Sequence, residues 1–366
     1  MIEKPKLLSK EGRLYQIDLF RFIAAMSVLL HHYLFRGYAE GNMSAINFEE
    51  ASQFFKYGYL GVDFFFIISG FVISLSIKGN SLSRFAISRI TRLYPIYWLS
   101  VIITFGVILF FGAPRYDVSV KQLIFNLTMF QDYFGVDSID GVYWSLVIEM
   151  RFYIMIALLL IANKFKKVTM NTFLNGWLLL SIFIVLFNQE VFLVRIVRYL
   201  FILEWSSYFI AGIVFSQIYK DGLKLRHALI LMACLLLTYY NLAMKIEEFE
   251  AFYKVYHSIP IIFTTVTIFF IIMLLVSLKK LKYLNSSKFL KIGLLTYPLY
   301  LLHQINGFVI FNALKGTVNK YVLLTLTTIL MLSISYFIIA KIEPLLSAFL
   351  KKKLKTIYIR LKSINK

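Results

Sequence analysis

Apolar residues fall along this chain in ten runs, at about 15–35, 57–77, 93–113, 144–163, 170–188, 200–219, 228–243, 258–278, 292–312 and 321–340. Short polar or basic segments separate them. Each run is near the ~20 residues that a helix needs to cross a bilayer. The pattern predicts an all-α, polytopic membrane protein of about ten transmembrane helices. The seventh run is short and the fifth contains Asn188, so the count depends on these two.

Basic residues orient the bundle. Of 39 Lys and Arg, 27 fall in segments that lie inside if the N-terminus is cytoplasmic. Ten fall in the five outer loops, and Arg21 and Arg151 fall within helices. Cytoplasmic loops are the ones enriched in Lys and Arg, so both termini are expected in the cytoplasm. The composition agrees, since 60% of the residues are hydrophobic, more than a soluble domain carries. The net charge of +20 then belongs to loops facing anionic lipid, and no nucleic-acid partner is expected. The first apolar run lacks a small-residue cleavage site and reads as a retained helix. The single cysteine, Cys234, lies in an apolar run. It leaves no intramolecular disulfide and makes a metal-thiolate site unexpected, so no metal is expected.

The loop 114–143 contains KQLIFNLTMF, an amphipathic stretch that reads as re-entrant or interfacial. The tail KKKLKTIYIRLKSINK reads as a basic amphipathic helix on the inner leaflet. Two regions follow: a membrane part over 1–345 and a basic cytoplasmic tail over 346–366. The chain has no internal repeat, the signature of many transporters.

Ionisable groups at membrane depth are costly and usually mark a site. The first run carries Asp18, Arg21, His31 and His32. Eleven residues separate Arg21 from His32, which is ~16.5 Å along a helix. The same step brings the two onto one face within about 20°, whereas His31 points roughly 100° away. A plainer reading pairs Asp18 with Arg21 at one interface and leaves the histidines at the other. Asp63, in the outer half of the second run, has no charged neighbour within a turn and needs a tertiary partner. Gly70 suits close helix packing. Glu149 falls in the outer third of the fourth run, with Arg151 on another face. Glu204 falls near an outer end, where a structural role is expected. His303 falls near mid-membrane after a kink expected at Pro298, either as a site residue or as a buried histidine bonded to a neighbouring helix.

Between the second and third runs stands SRFAISRITRLYP. Arg84, Arg89 and Arg92 lie there beside Phe85 and Tyr94, with no acidic residue. Planar guanidinium forks suit phosphate oxygens, which favours a phosphorylated cytoplasmic ligand over lipid anchoring.

Five stretches, in order, resemble acyltransferase family three, the membrane-bound family that O-acylates surface polysaccharides and other exported molecules. They are Asp18…Arg21…His32, GVDFFFIISGFVIS at 61–74, RFAISRITRLYPIYW at 84–98, WSLVIEMRFY at 144–153, opened by Trp144 and Ser145, and TYPLYLLHQ at 296–304 with His303. The resemblance implies a ten-helix fold in the cell inner membrane, a cytoplasmic acyl-CoA donor (acetyl-CoA), and an acceptor on the other side. It implies that Arg21 and His32 are essential, that Arg89 and Arg92 bind the donor, and that Glu149 belongs to the active centre. Met150 stands where many relatives have a second acidic residue, and Leu19 where a Gly is common.

The residues give this expectation a geometry. Arg21 and the arginine segment, Arg84 included, would hold the donor phosphates. Pantetheine would thread the bundle and place the thioester beside His32. His32 would take the acceptor hydroxyl proton as general base, oriented by Glu149 or Asp63. A covalent acyl-histidine is the other route. The expected partners are acyl-CoA, a glycan or lipid-linked sugar, and membrane lipid. The rival class is a transporter or flippase for lipid-linked sugars.

Overall fold

The computed structural model describes residues 13–41, 43–77, 81–165, 168–187 and 191–364. Among these residues there is no β-strand. Ten helices match the ten apolar runs: α1 Tyr15–Ala39, α2 Gly61–Ile77, α3 Leu82–Phe111, α4 Trp144–Lys164, α5 Met170–Ile184, α6 Ser206–Asp221, α7 Leu225–Tyr253, α8 Ile259–Ser277, α9 Phe289–Ala313 and α10 Lys320–Phe337. A wider turn at Ile338–Ile342 leads α10 directly into α11, Glu343–Ile364. Eight of the described helices are long and apolar enough to span a bilayer. The other two, α5 and α6, have 15 and 16 residues. The segment before α6 is irregular, and Ile202 and Leu203 in it are buried. Such backbone is tolerated at membrane depth where protein surrounds it.

Burial sorts the helices into a centre and a rim. In α9, 83% of the most apolar window is buried, against 28% in α8 and in the α10–α11 helix. The centre comprises α1, α2, α6 and α9, and large apolar side chains on α3, α5, α7, α8 and α10 face outward. Central helices approach closely because small residues sit where they cross. A Cβ at Gly70 would collide with the Phe209 carbonyl, and one at Gly212 with the Ile67 carbonyl. The close packing expected at Gly70 is therefore present between α2 and α6.

Two expectations change, and the loop before α4 follows the re-entrant reading. The arginine segment is not a loop: α3 begins at Leu82, capped by Ser81, so Arg84, Arg89 and Arg92 stand on its first turns. The seventh run extends to 29 residues, because its polar continuation packs over a cavity described below. The loop before α4 folds back into the bundle, with Asn126, Gln131 and Asp140 fully buried. Its helical piece, Val120–Asn126, starts in a capping box of Ser119 and Gln122.

Pro95 lies inside α3 and cannot donate to the Thr91 carbonyl. Ser347 of α11 supplies a donor to that carbonyl at 3.1 Å. The start of the basic tail is thus pinned to the helix that carries the arginines.

Candidate active site

Two cavities meet inside the central helices, sharing Val62 and Tyr300. The first contains Arg21 of α1, Arg89 and Arg92 of α3, Glu149 and Tyr153 of α4, and Ser69 of α2. The second contains His31, His32 and Arg36 of α1, Asp63 of α2, Trp144 of α4 and Lys245 of α7.

In the arginine cavity, Glu149 Oε1 accepts hydrogen bonds from Ser69 Oγ at 2.8 Å and from the Tyr153 hydroxyl at 2.5 Å. Arg89 stacks near the Phe85 and Tyr153 rings, with its guanidinium carbon 6.0 and 5.9 Å from the two centroids. Its Nη2 donates to Ser88 Oγ at 3.2 Å. Its Nε and Nη1 are buried with no hydrogen-bond partner. Unpaired buried donors of this kind are uncommon and call for an explanation.

In the histidine cavity a chain of bonds fixes where the protons sit. His303 Nδ1 lies 3.1 Å from the Leu299 carbonyl and 2.9 Å from that of Tyr300. Both are acceptors only, so Nδ1 carries the proton. His303 Nε2 must then accept, and His32 Nδ1 donates to it at 2.8 Å. This leaves a lone pair on His32 Nε2, with Arg36 Nη1 at 3.3 Å, longer than a good N–H donor contact. Arg36 is held in turn by both carboxylate oxygens of Glu40. A π-helical turn at His32–Arg36 widens α1 where these side chains leave it. The Tyr33 hydroxyl donates to the His303 carbonyl at 2.7 Å.

The structure brings some of the residues singled out in the sequence together and keeps others apart. Arg21, Arg89 and Arg92 do converge on one cavity. Arg84 does not line it; its side chain is exposed on the outer side of α3. Asp18 pairs with Arg13, at 2.9 and 3.1 Å, and not with Arg21. Glu149 belongs to the arginine cavity and does not touch His32. Asp140 ties the loop before α4 into the bundle through Val142 N and Ile305 N. Asp63 lines the histidine cavity and finds its tertiary partners in Tyr208 and Lys245. The group that orients His32 is therefore another histidine, His303, and not a carboxylate. His31 also lines that cavity, with Nδ1 3.0 Å from the Phe55 carbonyl. Trp144 lines the histidine cavity and Ser145 the arginine one, where Ser145 Oγ meets the Tyr300 hydroxyl at 2.7 Å.

Sequence reasoning missed Arg36, Glu40 and Asp140. The first two carry a signal, for His32, Arg36 and Glu40 stand at successive i, i+4 positions of one helix. Asp140 carries none. Its Oδ1 accepts from Val142 N and its Oδ2 from Ile305 N, each at 3.1 Å, which ties the loop to α9 beside His303. Burial pushes its carboxyl up to about 6. Among the described residues, no three His, Cys, Asp or Glu side chains are grouped to hold a metal ion.

Residues 14–340 match the model of acyltransferase family three, described as an acyltransferase domain. A putative acetyltransferase of Acidianus two-tailed virus is 25% identical over 254 residues, 69% of this chain and 74% of the viral protein. The peptidoglycan O-acetyltransferase OatA of Listeria monocytogenes is 30% identical over 171 residues, 41% of this chain and 25% of that protein. The putative peptidoglycan O-acetyltransferase YrhL of Bacillus subtilis is 27% identical over 168 residues, 41% of this chain and 24% of that protein. The matched region thus spans about a quarter of the two peptidoglycan O-acetyltransferases. No solved structure matches the chain significantly.

Proposed function

Because the chain belongs to acyltransferase family three, and the O-acyltransferase expected from its motifs agrees with that membership, we propose that it moves an acetyl group from cytoplasmic acetyl-CoA to a hydroxyl of an extracytoplasmic or lipid-linked glycan. The observation that carries this reading is the junction of the two cavities. One holds guanidinium donors without partners, the other holds an imidazole whose Nε2 lone pair meets only a 3.3 Å contact from Arg36, and Val62 and Tyr300 border both. The glycan acceptor is favoured by the names of the bacterial relatives.

In this mechanism Arg21, Arg89 and Arg92 hold the donor phosphates through forked N–H bonds. The pantetheine arm runs past Tyr300, so the thioester carbonyl lies in the histidine cavity. His32 Nε2 takes the proton of the acceptor hydroxyl as the oxygen attacks the carbonyl carbon. The new C–O bond forms a tetrahedral oxyanion, which Arg36 faces across the cavity. Collapse breaks the C–S bond, and the leaving thiolate takes up the proton. His303 keeps His32 in the tautomer that this needs. Glu149 sets the charge around the donor arginines. The protein acts in the inner membrane with the arginine end cytoplasmic, residues 1–345 forming the catalytic part and 346–366 resting on anionic lipid.

The test is label transfer from acetyl-CoA to a glycan by the purified protein. Release of CoA with label on the glycan supports the reading. Passage of a lipid-linked sugar through proteoliposomes without consumption of acetyl-CoA would instead favour a flippase.

A further inference from the structure

A third cavity, of about 480 Å³, opens beside the histidine cavity and takes no part in the mechanism above. Arg151, Arg195, Arg198 and Asp132 line it, and it shares Trp144, Glu204 and Trp205 with the histidine cavity. Its charges are not balanced from within. Glu204 is already committed to Arg198 at 3.1 Å and Lys245 at 2.8 Å. Arg151 is only 6% exposed, yet no described carboxylate reaches within ion-pair distance of it. Its Nε donates to the Tyr133 hydroxyl at 3.0 Å, and its guanidinium carbon lies 3.4 Å from the Tyr199 ring centroid. Asp132 in the same cavity is an electrostatic partner of Arg151 but makes no ion pair with it, so Arg151 and Arg195 leave the open space beside them cationic.

The neighbouring helix Phe192–Leu200 reads FLVRIVRYL. Its apolar residues Phe192, Leu193 and Leu200 are exposed. Arg195 and Arg198, three positions apart, share another face. Such an amphipathic helix suits the bilayer interface, where its arginines would sit at headgroup depth.

We propose that this cavity binds an acidic group of the acceptor glycan, a carboxylate or a phosphate, and so positions a neighbouring sugar in the histidine cavity. Guanidinium forks match both anions. The Trp144 and Trp205 rings, with centroids 5.6 Å apart, form the wall along which the sugar passes from one cavity to the other. The inference rests on the acetyl-transfer reading only for the identity of its ligand as the acceptor.

Binding to the detergent-solubilised full chain, measured by calorimetry without acetyl-CoA, tests it. The probes are an oligosaccharide of alternating N-acetylglucosamine and N-acetylmuramic acid with free lactyl carboxylates, its methyl ester, and an N-acetylglucosamine oligosaccharide with and without a terminal phosphate. The acidic form of one pair binds about tenfold tighter than its neutral counterpart, the scale of one charge-assisted hydrogen bond. The pair that shows it identifies the anion. Arg195→Glu, a change at an exposed position, removes the preference, and Arg151→Gln weakens it. Equal binding of acidic and neutral forms in both pairs overturns the proposal, as does a preference that survives both substitutions. Acid-selective binding by a protein that does not consume acetyl-CoA leaves this site standing and removes the transfer reading. Acetyl-CoA consumption without acid selectivity does the reverse.

Discussion

The cavity around Arg21, Arg89 and Arg92 measures about 70 Å³ and the one around His32 about 330 Å³, and they hold their polar groups in opposite ways. At the arginine end the donors outnumber their partners. Arg89 keeps two nitrogens unpaired, and Glu149 is occupied by two hydroxyls. At the histidine end His303, His32, Arg36 and Glu40 form one continuous chain of bonds. Unpaired cations suit a site that waits for an anionic ligand. A chain that is tight between His303 and His32 and long between His32 and Arg36 suits a site that holds one proton in place while Nε2 stays within reach of a substrate. On the proposed mechanism, binding and chemistry are separated between the two adjoining cavities, and substitutions in each should fail differently.

The largest effect is expected at the histidine end. His32→Ala removes the base and should lower kcat by roughly 10²–10⁴-fold while leaving the affinity for CoA unchanged in calorimetry. A loss of CoA binding equal to the loss of rate would erase the distinction between the ends. His303→Ala should give a smaller loss of kcat, because the base remains and only its orientation is lost.

Substitutions at the arginine end should act on the donor. Arg89→Ala should weaken CoA binding by about tenfold or more, with Arg89→Lys between it and the wild type, since Lys keeps the charge but not the fork. Arg84→Ala should change it less than about twofold, because Arg84 faces away from the cavity. Glu149→Gln sharpens the comparison further. It should alter the KM for acetyl-CoA and leave the pH profile of kcat unmoved, whereas a carboxylate orienting His32 would shift that profile.

The smallest effect is expected at Asp140, which lines neither cavity and ties the loop before α4 to α9. Burial raises its carboxyl from 3.8 to about 6, so the folded state binds a proton more readily than the unfolded chain. Stability from this group is highest below about pH 4, falls as the pH rises to about 6, and is level above that. Asp140→Asn should flatten this slope in Tm measured between pH 4 and 7.

The same contrast explains what could be read from the sequence. The helices were legible because a bilayer imposes a length and a composition on each one. Arg21, Asp63, His32 and His303 stood out because charge inside a membrane is costly, and Arg89 and Arg92 because they cluster without an acidic residue. Their grouping was legible only in part. The face shared by Arg21 and His32 follows from helix periodicity, but the pairing of His32 with His303 joins residues 271 positions apart, beyond any local pattern. Glu149 was expected beside His32 and lines the arginine cavity instead. Arg36 was counted as a loop cation because its apolar run ends at 35, whereas the helix continues to Ala39.

The separation of donor and acceptor is tested most directly in sealed vesicles of known orientation. Acetyl-CoA is supplied on the face that carries the arginine cavity, and a glycan is enclosed on the face that carries the histidine cavity. The account predicts that label from acetyl-CoA appears on the enclosed glycan, that His32→Ala abolishes this, and that acetyl-CoA supplied only on the glycan side gives none. Transfer that occurs only when both substrates share the arginine face would contradict it.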